Sequence, residues 1–263
     1  LRAPRGRRAA PAILGRMSID TPADLAGLKR AGAVVAATLR ECKRHVRPGV
    51  TTAELDAVAA RVFARHGARS GPQLDYRFPG AICISVNDEV VHGVPGPRRL
   101  RAGDLVKLDV TAELDGYYAD ACVTVPVGRP KPQHARMLAA SQAGLRKGIE
   151  AARAGLPLRG IGAAVENEVN RRGFRVLREL TGHGIGRRIH EPPEVLNWPD
   201  PADETILTDG LVITIEPMIT PTETHVEELE DGWTLATADG SRSAHFEHTL
   251  VVRADEPALV LTA

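Results

Sequence analysis

The sequence predicts a single α+β domain built from two similar halves. Residues 47–67 (RPGVTTAELDAVAARVFARHG) and 153–173 (RAGLPLRGIGAAVENEVNRRG) share a turn, a helix and a closing glycine, at an offset of 106 positions (153 − 47). At nearly the same offset, the short apolar segments 103–109 (GDLVKLD) and 209–216 (DGLVITIE) both end on a carboxylate. A repeat of this length exceeds a solenoid unit and indicates two half-domains related by a pseudo-two-fold axis. Ligand sites are common where such halves meet.

Capping signals place a pair of helices in each half. The first helix begins after Thr21, which can cap it, and ends before the turn at 47–49 (RPG). The second begins with the capping box of Thr51 and Glu54. In the second half, a long helix is predicted over 133–153, and the repeated segment supplies its partner.

Short apolar segments rich in β-branched residues supply the strands. They are 81–86 (AICISV), 117–125 (YYADACVTV), 233–237 (WTLAT) and 245–253 (HFEHTLVVR), in addition to the two repeated segments, with turn signals at 93–97, 115–116 and 239–240. Because most of these strands are close in sequence, we expect antiparallel hairpins with helices on one face, which is the α+β class.

The composition is that of an ordinary globular chain. The 263 residues are 43% hydrophobic and carry a net charge of +1, so no global field points to DNA or to a membrane surface. Three cysteines without CxxC spacing argue against a disulfide framework and a thiolate metal site, and favour a reducing compartment. No apolar run has the length of a membrane span. We therefore expect a cytoplasmic protein.

The first residues differ in composition from the rest. Residues 1–16 (LRAPRGRRAAPAILGR) contain no acidic residue, and their apolar centre is too short for a secretory signal. We expect 1–18 to be a basic, disordered leader and 19–263 to be a single catalytic domain. A transit peptide and an RNA-contacting arm are the alternatives for the leader, and Met17 is a candidate start.

Four carboxylates interrupt the apolar strands: Asp109, Asp120, Glu216 and Glu247. The separation 120 − 109 = 11 suits a hairpin that brings Asp120 beside Asp109, and 247 − 216 = 31 suits a longer hairpin in the second half. Four converging carboxylates cannot all ionise without a cation among them. Lys107 is the one basic residue in a matching strand position, and it could neutralise one charge. Singly, each carboxylate could cap a turn or pair with an arginine, but together the four indicate a divalent metal.

A glycine-rich segment, 182–193 (GHGIGRRIHEPP), adds two histidines, His183 and His190. Its glycines disfavour a helix and allow backbone to approach closely. Four carboxylates with the His183 imidazole are too rich in oxygen for a structural zinc site and suit Mn, Fe(II), Co or Zn in catalysis. Five such side chains can hold two ions roughly 3.5–4 Å apart if some carboxylates bridge.

Six segments carry a resemblance to a known family. They are RPGVTTAELD, ISVNDEVVHGVP, GDLVKLDVTAELDGYYADACVT, TGHGIGRRIHEPP, ITIEPM and SAHFEHTLVV, and they occur in order from about Ile19 to Val252. The chain resembles the type I methionine aminopeptidases, which remove N-terminal methionine from nascent chains when the second residue is small. The resemblance implies the pita-bread fold, with two pseudo-symmetric halves around a dinuclear metal centre.

The resemblance also implies a role for each site residue. Asp109 is the chelating aspartate of one metal, Asp120 and Glu247 bridge, and His183 and Glu216 complete the other metal. His92 lies near the scissile amide, His190 donates to the substrate carbonyl, and Glu216 is the expected proton shuttle. The substrate amine would bind at a metal, so only the first residue would be cleaved.

The methionine side chain needs an apolar slot, for which Tyr76, Phe78, Cys83 and Trp233 are the candidates. Val91 and Ile189 stand where the family often has a cysteine and an aromatic residue. The resemblance further implies a monomer that meets nascent chains, with transient ribosome contact, and with no membrane and no specific DNA as partners.

Two other readings compete with this one. Xaa-Pro aminopeptidases and prolidases share the metal ligands but usually carry a large extra N-terminal domain, whereas only about 20 residues precede the first predicted helix here. Non-catalytic ribosome-associated proteins of the same fold lack the ligands. The remaining histidines receive structural interpretations: His45 and His66 at helix ends, His134 and His225 in solvent, and His245 and His248 flanking Glu247 with only His245 on its face.

Overall fold

The computed structural model describes residues 19–263. The leader predicted over 1–18 lies outside the described residues. The described part contains five helices: α1 (Pro22–His45), α2 (Thr52–His66), α3 (Gly71–Tyr76), α4 (Pro132–Ala151) and α5 (Arg159–Arg171). None of them has the length and apolar character needed to span a membrane.

Local sequence signals set the helix ends. The Thr21 side chain accepts a hydrogen bond from the Asp24 backbone N–H, and the Asp24 carboxylate accepts from the Thr21 N–H. The same reciprocal capping box joins Thr51 to Glu54 at the start of α2, and Gly67 ends that helix in the left-handed region (φ 67°). Both predicted caps are therefore confirmed, because capping depends on neighbouring residues alone.

The first half of the chain forms the strands β1 (Arg69–Ser70), β2 (Cys83–Val86), β3 (Glu89–Val91), β4 (Leu105–Leu114) and β5 (Tyr117–Pro126). Strands β1 and β2 pair with different residues of β4, at 112–113 and 106–109 respectively. Strand β5 pairs with β4 along its whole length, and the four strands form one antiparallel sheet. Helices α1 and α2 cover one face of it, so that Leu55 and Val35 pack with Val110 in a fully buried cluster.

The second half contains the remaining strands: β6 (Arg175–Val176), β7 (Gly182–Gly184), β8 (Glu191–Val195), β9 (Val212–Ile215), β10 (Met218–Thr220), β11 (Val226–Glu228), β12 (Leu235–Thr237), β13 (Ala244–His245), β14 (His248–Val251) and β15 (Leu259–Val260). The largest sheet has the order β15-β14-β9-β7-β8. Helices α4 and α5 pack on this half, and Ile161 and Ile213 belong to its buried cluster. All pairs of named strands are antiparallel, as the sequence predicts.

Two strand predictions need correction. The segment 245–253 is not one strand, because β13 pairs with β10 whereas β14 pairs with β9 and β15, and residues 246–247 between them belong to no strand. Asp109 does not end its strand either, since β4 continues to Leu114 before the turn at 115–116. Pairing with distant strands decides both points, and the local pattern does not contain that information.

Candidate metal centre and active-site cavity

One cavity of about 770 Å³ contains every site residue that the sequence predicts. Its lining includes Tyr76, Phe78, Cys83, His92, Asp109, Asp120, His183, His190, Glu216, Trp233 and Glu247. These residues come from both halves of the chain, as expected for a site where two half-domains meet.

The β4–β5 hairpin supplies the first two carboxylates. Asp109 is paired with Cys122 and Thr111 with Asp120, so Asp120 lies diagonal to Asp109 and not directly opposite it. Side chains two positions apart on neighbouring strands share one face of the sheet, which brings both aspartates to the cavity. The Thr111 hydroxyl donates to Asp120 Oδ2 at 2.7 Å and fixes the orientation of that carboxylate.

Glu216 and His183 are held together by Thr214. The Thr214 hydroxyl donates to Glu216 Oε1 at 2.8 Å and accepts from the His183 backbone N–H at 3.0 Å. His183 Nε2 then lies 3.5 Å from Glu216 Oε1. Asn197 donates to the backbone carbonyl of Glu216 at 3.2 Å, which fixes the end of β9.

Glu247 reaches the cavity from the interval between β13 and β14. Its backbone N–H donates to the Cys122 carbonyl at 2.9 Å, which attaches this interval to β5. Ligand atoms of Glu247, Asp120 and His183 all lie within 4.8 Å of one another. The cluster therefore joins residues from β5, from β7 and from the interval between β13 and β14.

The cluster of carboxylates has unfavourable electrostatics without a cation. Burial raises the pKa of Asp109, Glu216 and Glu247 well above the usual range, and the neighbouring carboxylates raise the pKa of each further. Burial raises the pKa of Asp120 to about 6, although hydrogen bonds from Thr111 and Asp109 oppose the shift. Within residues 19–263, no Lys or Arg forms an ion pair with any of the four.

Lys107 does not supply the missing charge. Its ammonium donates to the backbone carbonyls of Asn87 and Glu89, at 2.5 and 2.6 Å. Asp120 Oδ1 is buried and has no hydrogen-bond partner among the described residues. A buried carboxylate oxygen without a donor, inside a cluster of oxygen atoms and one imidazole, fits a divalent metal.

The His183 imidazole has the orientation and the charge state that a metal ligand needs. Its Nδ1 lies 2.9 Å from the Gly184 carbonyl, which accepts the Nδ1 proton and leaves the Nε2 lone pair facing the carboxylates. Burial, with a smaller contribution from His190, lowers the pKa of His183 to about 3. The ring is therefore neutral at physiological pH, as a metal-ligating imidazole must be.

The glycines beside His183 are required by close backbone contacts. A Cβ on Gly184 would lie 2.2 Å from the Pro192 carbonyl oxygen, and one on Gly182 would lie 2.6 Å from the Thr214 carbonyl oxygen. Both contacts are with backbone, which cannot move aside easily. The glycines thus allow β7 to lie between β8 and β9 with His183 directed at the carboxylates.

His190 lies against His183 and is oriented by Tyr76. The two imidazole centroids are 4.2 Å apart, and the Tyr76 hydroxyl lies 2.6 Å from His190 Nδ1. Burial and the nearby Asp75 raise the pKa of Tyr76, so the phenol keeps its proton. Burial lowers the pKa of His190, and a Tyr76 hydroxyl that donates to Nδ1 leaves the single proton of the neutral ring on Nε2.

His92 reaches the cavity from an uncommon backbone conformation. It has a φ of 57°, in the left-handed region that residues with a Cβ rarely adopt. A Cβ on the following Gly93 would lie 2.4 Å from the Ile84 carbonyl oxygen, so this turn packs tightly on β2. Such conformations cluster at functional sites because the surrounding structure holds them there.

The residues predicted for the apolar slot all line the cavity. Phe78 and Trp233 make an edge-to-face contact with ring centroids 5.3 Å apart. Cys83 lies beside Asp109 in the ladder between β2 and β4, and burial raises the pKa of its thiol. Val91 and Ile189, which replace the residues common in the family, also line the cavity.

Two histidine interpretations are wrong or incomplete. His134 is buried and not solvated, and its ring lies 3.3 Å from the Arg242 guanidinium. The structural interpretation of His245 is incomplete, because its Nε2 lies 3.8 Å from both Glu216 Oε2 and Glu247 Oε2. In the sequence, this proximity is indicated only by the position of His245 two residues before Glu247, on the same face of the chain. His225 is exposed, as expected.

The chain belongs to metallopeptidase family M24, which matches residues 26–254. Its relatives include methionine aminopeptidase 2 of Bacillus subtilis (strain 168), which is 41% identical over 248 residues, covering 94% of this chain and 99% of the relative. Methionine aminopeptidase 1 of the same organism is 39% identical over 232 residues, covering 88% of this chain and 94% of the relative.

Solved structures agree with this membership. The methionine aminopeptidase of Thermotoga maritima superposes with a TM-score of 0.90 at 35% identity, covering 94% of this chain and 99% of that one. The prolidase from Pyrococcus furiosus gives a TM-score of 0.76 at 22% identity, covering 94% of this chain and 66% of the prolidase, and this likeness concerns the fold alone. The architecture is the pita-bread fold that the sequence predicts.

Proposed function

We propose that this chain is a metalloaminopeptidase that removes the N-terminal methionine of nascent polypeptides, preferably when the second residue is small. One observation carries the proposal: four carboxylates, His183, two further histidines and an apolar wall line a single cavity. The methionine aminopeptidases among the relatives support the substrate class.

The ligand set would hold two divalent ions, with Co, Mn, Fe(II) and Zn as the candidates. Asp109, Asp120, His183, Glu216 and Glu247 are the proposed ligands, with Asp120 and Glu247 shared between the ions. When bound, such ions lower the pKa of water into the neutral range and polarise a peptide carbonyl.

The residues around the ligands would bind the substrate and move protons. The His190 Nε2–H donates to the carbonyl oxygen of the first peptide bond, where negative charge develops during hydrolysis. Glu216 would carry a proton from the attacking water towards the leaving nitrogen, since a carboxylate within reach of the reacting atoms can serve as general base and then as general acid. His92 positions the leaving nitrogen.

Specificity would come from the apolar wall. Phe78 and Trp233 offer aromatic surface to the methionine thioether, which makes favourable contacts with aromatic rings. Tyr76 orients His190, and Cys83 narrows the slot near Asp109.

A peptide comparison tests this function. The purified chain, reconstituted with Co2+, Mn2+, Fe2+ or Zn2+ in turn, is assayed on Met-Ala-Ser and on Ala-Pro-Ser, with Glu247→Ala as the matched inactive control. We expect release of methionine from the first peptide and no cleavage of the second. Preferential cleavage of the Xaa-Pro peptide would favour the prolidase-like alternative, and metal binding without cleavage of either would favour a non-catalytic module.

The setting of the reaction belongs to the same proposal. We place the enzyme in the cytoplasm as a monomer that contacts the ribosome transiently, because its substrate would be a chain that is still being made. Sedimentation measures the oligomeric state, and co-pelleting with ribosomes measures the ribosome contact.

A further inference from the structure

His245 is a buried histidine whose ring has no hydrogen-bond partner among the described residues. The side chain is 1% exposed, and neither Nδ1 nor Nε2 is within hydrogen-bond distance of an acceptor or donor. Leaving such a buried polar group unpaired is destabilising. A partner that comes within reach of the ring would remove this cost.

The backbone holds the ring in place. The His245 N–H donates to the Thr124 hydroxyl at 2.8 Å, and that hydroxyl donates to the His245 carbonyl at 2.7 Å. Pairing with Met218 fixes β13 beside β10. The imidazole is therefore aimed by its strand, and small movements of its neighbours decide whether it finds a partner.

Those neighbours are two of the proposed ligands. His245 Nε2 lies 3.8 Å from Glu216 Oε2 and 3.8 Å from Glu247 Oε2, so the nitrogen lies between the two carboxylates. When both carboxylates are ionised they can only accept, so an imidazole that faces them with Nε2 keeps an N–H on that nitrogen.

We propose that His245 is a positioning residue of the metal centre, whose Nε2–H donates to Glu216 and Glu247 when these carboxylates close on divalent ions. A movement of less than about 1 Å brings either oxygen within hydrogen-bond distance. The inference rests on the proposed metal ligation. Outer-shell donors of this kind orient ligands, and their removal typically costs about 10–100-fold in metal affinity.

The role differs from direct ligation. A ligating nitrogen would give its lone pair to the ion, whereas a donor would give its proton to the glutamates and stabilise both in their charged form. Glutamine also carries an N–H donor and can replace the donor function. Phenylalanine fills similar space but cannot donate.

The test measures Co2+ binding to the metal-free chain by calorimetry, together with the visible absorption of bound Co2+. We expect His245→Phe to bind Co2+ about 10–100-fold more weakly, and His245→Gln to restore most of the affinity. The matched control is His248→Phe, since the His248 ring points away from the cluster and bonds Thr262 at 2.8 Å. Its affinity should equal that of the wild type.

Two results would overturn the proposal. Wild-type affinity in His245→Phe means that the ring does not orient the ligands. Loss of affinity in both His245→Phe and His245→Gln, with a changed Co2+ spectrum in the second, means direct ligation. If His245→Phe fails to fold, His245→Met provides the apolar comparison. Because no peptide is cleaved in this experiment, failure of the proposed peptidase function would be a separate result.

Discussion

Replacing Thr214 by Val tests whether a single hydroxyl organises the second half of the metal centre. Thr214 is fully buried, and valine has nearly the same shape. The change removes the acceptor of the His183 N–H, at 3.0 Å, and the donor to Glu216 Oε1, at 2.8 Å. Both proposed ligands lose their orientation at once.

The size of the effect follows from these two contacts. A buried N–H without an acceptor costs about 1–3 kcal/mol, and loss of a hydrogen bond to a protonated carboxyl costs about 1 kcal/mol. Burial of the extra methyl group returns about 1 kcal/mol. We therefore expect the metal-free variant to lose about 1–3 kcal/mol of unfolding free energy, at about 2–4 °C in Tm per kcal/mol. Its Co2+ affinity should fall about 10–100-fold.

The assay pairs thermal unfolding of the metal-free chain with calorimetric Co2+ titration. Thr38→Val is the matched control, because Thr38 is also fully buried but donates only to Val34 of its own helix, at 2.8 Å. This control should keep wild-type Co2+ affinity. If Thr214→Val loses stability but binds Co2+ as the wild type does, the hydroxyl has a structural role alone. In that case the Thr214 hydroxyl does not orient His183 and Glu216 for metal binding.

Three further predictions test the site. His183→Ala should lose Co2+, whereas His190→Ala should keep it and lose about 10²–10³ in kcat, as expected for one lost oxyanion donor. Metal stoichiometry and kcat of the two variants, measured side by side, decide the assignment. The reverse pattern would exchange the two roles. Asp120→Ala and Glu247→Ala should each reduce metal content and lower activity by orders of magnitude, since each is proposed to hold both ions, and normal activity at full metal occupancy would contradict the dinuclear site. Co2+ binding at pH 7 should release protons, because burial raises the carboxyl pKa values and the metal-free site therefore retains protons that the metal must displace. The Co2+ affinity should also fall as the pH decreases through about 6, because Asp120 then takes up its own proton. Calorimetry in buffers of different ionisation enthalpy measures the release, and equal heats in all buffers would refute it.

The four carboxylates of the candidate site could be singled out from the sequence because a charged group in an apolar strand is a local feature. A carboxylate in an apolar strand, such as Asp120, needs compensation wherever the strand lies in the fold. Four of them, together with His183 in a glycine-rich segment, leave a metal as the common explanation. The helix caps at Thr21 and Thr51 were predictable for a similar reason, since all their partners lie within three residues.

Register and sheet membership required the tertiary structure. The sequence separation suggests Asp120 opposite Asp109, but the ladder pairs Asp120 with Thr111, and that threonine becomes its hydrogen-bond donor. The segment around Glu247 has the sequence pattern of one strand, yet it is divided between two sheets, and Glu247 lies in the interval between its two strands. Such choices depend on distant backbone partners, which no short window of sequence contains.

The individual environment of a side chain was also decided in three dimensions. Lys107 occupies a strand position that suits a counterion of the carboxylates, yet its ammonium donates to the backbone carbonyls of Asn87 and Glu89. His245 carries no sequence signal beyond its spacing from Glu247, and only packing shows that its ring lies unpaired between two carboxylates. Residue types and their local periods indicate most of the apolar groups that enter the core. The packing of chain-distant strands fixes which of those groups meet, because the free energy of a buried polar group depends on the partner it finds there.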